Sequence, residues 1–157
     1  TADGPKVVEF NARFGDPEAM NVLPTLETSF LDVLTAARDG DSLPHLEFGG
    51  RATVCKYAVP DGYPTDPASG ARITVDEESA GDALLFYASV DERDDGLYTT
   101  TSRSFAVVGA AGSIADAEAQ AETALAAAGD GLRVRHDVGK PDLVQQRVER
   151  MEELRGE

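Results

Sequence analysis

The chain has 157 residues, 41% of them hydrophobic, which is enough for a domain with an adequate core. It carries 29 Asp and Glu against 14 Lys and Arg, a formal net charge of -15, and no basic cluster of the kind that binds nucleic acid. Because it has no run of about eighteen apolar residues and no charged-then-apolar leader, we expect neither a membrane span nor a secretory signal, and we assign the chain to the cytoplasm.

The first predicted element is a short apolar strand over residues 6–10. The pair Asp3-Gly4 before it is typical of a hairpin turn that leads into a strand. Successive side chains of a strand point to opposite faces, so Val8 and Phe10 are expected to enter the core.

Glu9, Asn11 and Arg13 alternate along the same segment and are expected to share its other face. A carboxylate and an amide carbonyl are the hard oxygen ligands that Mg²⁺ accepts, usually one or two from the protein with phosphates and waters filling the rest. Arg13 offers a planar, always charged fork for phosphate oxygens. The alternative for Glu9 and Asn11 is an edge strand with a solvated polar face.

The triplet Asp16-Pro17-Glu18 is typical of a helix opening, with Asp16 as N-cap and Pro17 at the first helical position. This short helix is expected to end at Pro24. A second helix is predicted to end near Gly40, and its apolar stripe is interpreted as core: Leu26, Phe30, Leu31 and Leu34. The turn-rich residues 39–50 are predicted to be a domain boundary.

From Arg51 onward the pattern favours short strands. They are predicted over residues 52–59, 73–75, 84–90, 97–101, 103–108 and 132–135. Two helices are also predicted, one from Ile114 to Ala128 with Ser113 as N-cap and Gly129 at its end, and one from Pro141 to Leu154.

Three further side chains are interpreted as structural. Cys55 is predicted to be a buried thiol in a strand, because a lone Cys is commonly a small buried hydrophobe. His45 and His136 have no carboxylate or hydroxyl partner at a recognisable spacing, so both are predicted to be surface or turn residues.

Residues 9–18, EFNARFGDPE, resemble the metal-binding end of an ATP-grasp enzyme, and specifically that of the phosphoribosylamine-glycine ligases. Three later segments resemble motifs of the same family and occur in the family's order. They are Gly62-Tyr63-Pro64-Thr65-Asp66, Ser102-Arg103, and Arg135-His136-Asp137-Val138-Gly139. The resemblance spans nearly the whole chain.

The resemblance implies that Glu9 and Asn11 hold Mg²⁺ or Mn²⁺ that bridges ATP phosphates. It implies that Arg13 is the catalytic residue that binds the triphosphate or the acyl phosphate, and that Asp16 lies near the amine or glycine pocket as a further binding residue. The implied reaction is that of an ATP-dependent ligase of purine biosynthesis, which joins glycine to 5-phosphoribosylamine through glycyl phosphate. The loop 60–67 and Arg103 are implied to face the active-site cleft, with a rigid connector as the alternative for the loop.

The family's enzymes are much longer, so we expect this chain to be the C-terminal part of a larger protein and inactive alone. Its implied partners are the missing N-terminal domain and ATP-grasp lid. The predicted fold class is α+β, with the end of an ATP-grasp domain at 1–46 (strand plus helices) and a small, mainly β C-terminal domain with two helices at 50–157. Two alternatives remain: another ATP-grasp carboxylate-amine ligase, or a non-catalytic binding or assembly module.

The acidic residues are dispersed along the chain, and only three basic residues are lysines: Lys6, Lys56 and Lys140. This pattern resembles that of proteins from salt-loving organisms, whose surface repulsion is screened by molar salt. We therefore predict a haloarchaeal source. An acidic face for a basic partner is the alternative.

Overall fold

The computed structural model describes residue 1, residues 3–125 and residues 131–156. Its helices are α1 (Glu18–Val22), α2 (Phe30–Asp39), α3 (Ile114–Leu125) and α4 (Pro141–Arg155), with 3₁₀ turns at Leu23–Thr25 and Glu78–Ala80. Its strands are β1 (Ala52–Pro60), β2 (Arg72–Ile73), β3 (Leu84–Tyr87), β4 (Val90–Arg93), β5 (Gly96–Thr99), β6 (Phe105–Ala111) and β7 (Leu132–Val134). The predicted α+β class and the mainly β second part with two helices are confirmed.

The strands form two antiparallel sheets. One has the order β3-β6-β1-β7, and the other has the order β2-β5-β4. In the first sheet β1 pairs with β6 over seven residues and with β7 at its end, so that Ala58 lies opposite Val134 and Val59 opposite Arg133. Residues on β1 and β7 that face each other therefore project to the same side of the sheet.

The core lies between this sheet and α3. Alternate residues of β1 are buried, and α3 presents the small residues Ala117, Ala121 and Ala124, which are at most 3% exposed. Gly109 on β6 meets the backbone of α3, where an added Cβ would lie 1.8 Å from the Ala117 carbonyl oxygen. Small residues on both elements therefore set the distance between the helix and the sheet.

Three predicted helix ends form as expected. Gly40 ends α2 in the left-handed conformation at φ 75°, and the Ser29 hydroxyl, which was not predicted as a cap, accepts from the Asp32 amide at the start of the helix. The Ser113 hydroxyl accepts from the Asp116 amide at 3.1 Å, and Pro141 opens α4 as predicted. The predicted end of α3 at Ala128 and Gly129 lies outside the described residues.

The prediction of a strand over residues 6–10 is wrong. The segment forms no strand pairing, and Val8 and Phe10, which were expected in the core, are 96% and 91% exposed. The turn at Gly4 is present, because its amide donates to the Thr1 carbonyl, but no hairpin follows. A strand requires a neighbour to satisfy its backbone groups, and no described residue supplies one.

The α2 stripe was also interpreted wrongly as core. Leu31 and Leu34 are 70% and 51% exposed, and α2 has no buried residue. The helix forms where it was predicted because its caps are local, but its apolar face is only partly covered: Phe30 is half-buried and contacts Phe14.

The single strand predicted over residues 84–90 is two strands in different sheets. β3 pairs with β6, whereas β4 pairs with β5. The amides of Ala88 and Ser89 between them donate to the carbonyls of Ser104 and Arg103. The sequence has no Gly or Pro at this point, so the change of sheet is decided by the pairing partners.

No helix in the described part of the chain is both long enough and apolar enough to cross a membrane.

Candidate functional site

The segment that carries the predicted metal ligands is extended and exposed. The Asn11 Nδ2 donates to Glu9 Oε1 at 3.2 Å, so the two side chains lie together. This contact leaves the second Glu9 oxygen and the Asn11 carbonyl oxygen as acceptors. Within residues 1, 3–125 and 131–156, no group of three or more His, Cys, Asp and Glu side chains is arranged to hold a metal ion. A carboxylate and an amide oxygen on two neighbouring side chains fit Mg²⁺, which takes few protein ligands and fills its other positions with waters or phosphates.

Arg13 does not continue the extended run of Glu9 and Asn11. The chain bends at Ala12 and Arg13, and the Arg13 Nη1 donates to the Phe14 carbonyl at 2.9 Å. The Phe14 ring packs edge-on against Phe30 of α2, with 5.9 Å between the ring centroids. The shared strand face predicted for the three side chains is therefore not formed, because the segment is not a strand and the chain bends at Arg13.

Asp16 joins the N-terminal residues to the sheet and does not act as the predicted N-cap. The helix α1 begins at Glu18 with Pro17 as its N-cap residue. The Asp16 carboxylate accepts from the Tyr57 hydroxyl at 2.6 Å and from Arg103 Nη2 at 2.9 Å. Burial and the bond to Asp16 raise the pKa of Tyr57, and the Arg103 guanidinium lies 4.7 Å from the Tyr57 ring centroid.

Asp16 lies at one edge of a pocket on the face of the first sheet opposite α3. Along β1, Val54, Lys56 and Ala58 are buried toward α3. The alternate residues of β1 project to the opposite face and line the pocket: Cys55, Tyr57 and Val59. The cavity volume is about 410 Å³, within the usual range for small-molecule sites.

Five residues define what we call the arginine pocket: Tyr57, Tyr63, Arg103, Arg133 and Arg135. They come from β1, the loop after it, the segment just before β6, and β7 with the residue that follows it. Pro17 lines the same cavity. All four sequence segments that carry the family resemblance therefore contribute to one pocket, although the first and the last of them are separated by about 120 residues in the chain.

Hydrogen bonds fix the loop and the turn at the pocket. The Arg133 Nη2 donates to the Tyr63 carbonyl at 2.7 Å and ties the loop after β1 to β7. Arg135 binds Asp137 through two bonds of 2.7 Å and 2.5 Å, and this pairing lowers the pKa of the Asp137 carboxyl to about 2. The loop is thus held as a connector and also lines the pocket.

Cys55 is half-buried on the pocket floor. Burial raises the pKa of its thiol to about 11, with a smaller contribution from the negative charge of Asp16. The thiol is therefore protonated at neutral pH, in agreement with the structural interpretation, although the residue is less buried than predicted.

A buried ion cluster on the other face of β1 was not predicted. The Lys56 Nζ is fully buried and donates to Glu118 and Glu122 of α3, each at 2.6 Å, and to the His136 carbonyl at 2.9 Å. Lys140 also pairs with Glu118 at 2.8 Å. The cluster joins β1, α3 and the turn that carries Arg135.

His136 lies in a turn with its side chain 63% exposed, as predicted, but it does have a carboxylate partner. Its Nδ1 lies 2.6 Å from Glu122 Oε1. His45 is exposed, also as predicted.

The sequence contained signals for the buried ion cluster and for the arginine pocket, neither of which was predicted. Lys56 stands two residues from Val54 and from Ala58, at a position where strand alternation requires an inward side chain, so its charge needed a buried partner. Arg133 on β7 and Arg135 just after it are two residues apart, as expected for side chains on one face of an extended segment. The sequence does not contain the pairing of β7 with β1, which brings these arginines to Tyr57.

The cluster gives a testable pH dependence. Burial raises the pKa of Glu118, but hydrogen bonds from Lys140 and Lys56 outweigh this effect and leave the pKa below its ordinary value of 4.5. The ionised Glu118 therefore contributes its full stabilisation above about pH 4.5, the pKa expected in the unfolded state. This stabilisation is lost as the pH falls through the lower pKa of Glu118 in the folded state. We expect urea unfolding free energies to fall with acidification in this window, and to fall less steeply in Glu118→Gln. Equal slopes for the two proteins would contradict the assignment.

The sequence model of the family described as "Phosphoribosylglycinamide synthetase, C domain" matches residues 53–141 of this chain. The chain is 56% identical over 157 residues to a phosphoribosylamine–glycine ligase of Methanococcoides burtonii, covering 99% of this chain and 36% of that protein. It is 53% identical over 158 residues to the ligase of the same name from Methanocella arvoryzae, again covering 36% of the relative. The chain thus spans about a third of the length of these relatives.

A solved structure shows the same fold. The crystal structure of phosphoribosylamine–glycine ligase from Thermotoga maritima superposes with a TM-score of 0.71 at 27% sequence identity. The match covers 85% of this chain and 33% of the Thermotoga protein.

Proposed function

Because this chain belongs to the phosphoribosylglycinamide synthetase C-domain family, we propose that it is the C-terminal part of a phosphoribosylamine–glycine ligase. In the proposed reaction ATP activates glycine as glycyl phosphate, and the amine of 5-phosphoribosylamine attacks it to give glycinamide ribonucleotide, ADP and phosphate. The observation that carries the proposal is the arginine pocket, where Pro17 and three later motif segments meet. Such a reaction depends on charge neutralisation and positioning and needs no protein nucleophile.

We assign residues 1–46 to the end of an ATP-grasp domain and residues 50–157 to the C-terminal domain. The family match begins at residue 53 and β1 begins at Ala52, which supports a boundary just before them. Asp16 would act across this boundary through its bonds to Tyr57 and Arg103.

Glu9 and Asn11 are proposed to hold Mg²⁺ or Mn²⁺, which would neutralise ATP phosphate charge when bound. The contact between their side chains, which leaves one oxygen of each residue without a bond to the other, supports this role. Arg13 is proposed to bind the triphosphate or the acyl phosphate. For this, its Nη1 would break its hydrogen bond to the Phe14 carbonyl and donate to a phosphate oxygen instead. Asp16 is proposed to lie near the amine or glycine, since it sits at the edge of the arginine pocket.

The partners of this chain are proposed to be the remaining domains of the same ligase. Seven large apolar side chains among the described residues of the N-terminal part are more than half exposed: Val7, Val8, Phe10, Phe14, Leu31, Leu34 and Leu43. Exposed apolar area of this kind marks an interaction surface. The remaining two thirds of a ligase of the relatives' length would cover it, and would supply the parts of the nucleotide site that this chain lacks.

The proposal is tested by the activity of the complete protein that contains this chain. With ATP, Mg²⁺, glycine and phosphoribosylamine it should form glycinamide ribonucleotide, whereas residues 1–157 alone should give no turnover above the protein-free control. Glu9→Gln should raise the half-saturating Mg²⁺ concentration by about tenfold or more, because a charged contact worth about 1.5–3 kcal/mol is weakened.

Glu92→Gln is the matched control for the metal assignment, because it removes the same charge from an exposed position on β4. It should leave the Mg²⁺ dependence unchanged. Identical metal titrations for Glu9→Gln and Glu92→Gln would mean that Glu9 binds no metal and is only a solvent-exposed side chain. No ligase activity in the complete protein would favour the non-catalytic alternative.

The haloarchaeal source is also a proposal, and it rests on the dispersed net charge of -15. Screening shortens the Debye length from about 10 Å at 0.1 M to about 3 Å at 1 M salt, which should relieve repulsion among the carboxylates. We expect the thermal unfolding midpoint to rise as KCl increases over this range. A flat or falling midpoint would contradict salt adaptation.

A further inference from the structure

We propose that Lys56 is a positioning residue for the proposed ligase reaction, because its buried ammonium group fixes the turn 136–139 at the border of the arginine pocket. The inference rests on the proposed function. Arg135, just before this turn, and Val138 within it line the pocket on the open face of the first sheet. Lys56 reaches the same turn from the opposite face of β1. It would therefore act through the backbone of the turn and not by contact with a substrate.

All three donors of the Lys56 ammonium group are used inside the cluster. Nζ donates to Glu118 and Glu122, each at 2.6 Å, and to the His136 carbonyl at 2.9 Å. A lysine has three N–H donors and this side chain is fully buried, so no donor remains for a ligand. One donor binds the backbone of the turn, while the two carboxylates supply the negative charge that a buried ammonium group requires.

The same two carboxylates hold both ends of the turn. Glu122 Oε1 lies 2.6 Å from the Nδ1 of His136, where the turn begins. Glu118 Oε1 lies 2.8 Å from the Nζ of Lys140, just after the turn. The glutamates are four residues apart on α3, a spacing at which like charges destabilise a helix, and Lys56 lies between them. Loss of Lys56 would therefore disturb both attachments of the turn.

Close packing restricts the turn on the same side. Gly139 ends the turn with φ 82°, and a Cβ added there would lie 2.8 Å from Val54 and 3.2 Å from Glu118. The backbone of the turn thus lies directly against side chains of β1 and α3. Packing opposes a shift of the turn toward the cluster, and the hydrogen bond from Lys56 opposes a shift away from it.

Stability alone does not account for a lysine at this position. Val54 and Ala58, its neighbours on the same face of β1, are apolar and buried. An ion cluster loses hydration when it is buried, and its replacement by well-packed apolar residues is often neutral or stabilising. A hydrogen bond to the His136 carbonyl fixes the direction as well as the distance of the turn, which apolar packing does not do.

The test compares Lys56→Met with a destabilised core variant in the complete protein that contains this chain. Ile73→Ala is the matched control, because it removes a buried side chain from β2 in the other sheet and no member of the cluster. The first measurement is hydrogen exchange of the Val138 and Lys140 amides, which donate to carbonyls of the same segment. We expect their exchange to be about tenfold faster in Lys56→Met than in Ile73→Ala, because only the first variant loosens the turn.

The second measurement is kcat/KM of the ligase reaction, at a temperature at which both variants are folded. It should fall by about tenfold or more in Lys56→Met, because a small displacement of groups at a site is enough to slow a reaction. In Ile73→Ala it should stay within about twofold of the native value. A role in stability alone would lower the unfolding midpoints of both variants without separating their kcat/KM values. Equal turn exchange or equal kcat/KM in the two variants would overturn the inference.

Glu122→Gln decides the question if Lys56→Met does not fold. It keeps the shape of the side chain and leaves the Lys56 pair with Glu118 in place, but weakens the bonds to Lys56 and His136. We expect about fivefold changes in turn exchange and in kcat/KM, the difference between a charged and a neutral hydrogen bond. Glu92→Gln removes the same charge from exposed β4 and should change neither. Equal values for these two variants would also overturn the inference.

Failure of this inference and failure of the ligase proposal give different results. Ligase activity that is the same in Lys56→Met and Ile73→Ala would refute the positioning role and leave the reaction standing. Absence of ligase activity in the native complete protein would refute the reaction. The exchange comparison would then still decide whether Lys56 fixes the turn, since it requires no turnover.

Discussion

Replacing Lys56 with methionine should lower the free energy of unfolding by about 3 kcal/mol, because it removes the shared partner of two glutamates. The side chain of Glu118 is only 7% exposed, and Glu122 is about one third exposed. Glu118 would keep Lys140, which sets the expected loss at the lower end of the range for a broken buried ion pair. Urea unfolding followed by circular dichroism would measure the loss.

Lys6→Met is the control for this substitution, since Lys6 is exposed and makes no salt bridge within the described residues. Its unfolding free energy should change by less than about 0.5 kcal/mol. A Lys56→Met protein as stable as Lys6→Met would mean that the cluster does not join β1 to α3 energetically. The arginine pocket would then also lose the support of its turn.

Replacing Gly109 with alanine should destabilise the fold by about 3 kcal/mol or more, because the new methyl group has no room. Its Cβ would lie 1.8 Å from the carbonyl oxygen and 2.8 Å from the carbonyl carbon of Ala117. These are backbone atoms of α3, so the whole helix would have to move away from β6. The helix carries Glu118 and Glu122, and its displacement would also disturb the Lys56 cluster.

Gly112→Ala tests the same substitution three residues later, where an added Cβ meets no atom within 4 Å. It should change stability by no more than about 0.5 kcal/mol in either direction. The pair of variants is read out by thermal and urea unfolding. If both alanine variants unfold at the same midpoint, close packing between β6 and α3 is not what fixes the helix position.

The sequence predicted those parts of the fold that depend on neighbouring residues. Gly40, Ser113 and Pro141 marked helix ends correctly because a cap is formed by a side chain or backbone conformation within a few residues of the helix. The strands β1, β5 and β6 were found because their apolar and β-branched runs are bounded by turn residues. The metal ligands Glu9 and Asn11, with Arg13 and Asp16, were named from a motif and remain predictions.

The tertiary structure decided everything that depends on which distant segments pair. Residues 6–10 have the pattern of a strand but no described partner, and residues 84–90 divide between two partners. Lys56 became the centre of a buried cluster only because α3 crosses β1, and Arg133 reached Tyr57 only because β7 adds to the edge of the same sheet. The physical reason is that capping and alternation are set by local geometry, whereas the pairing of strands depends on long-range contacts that no local pattern encodes.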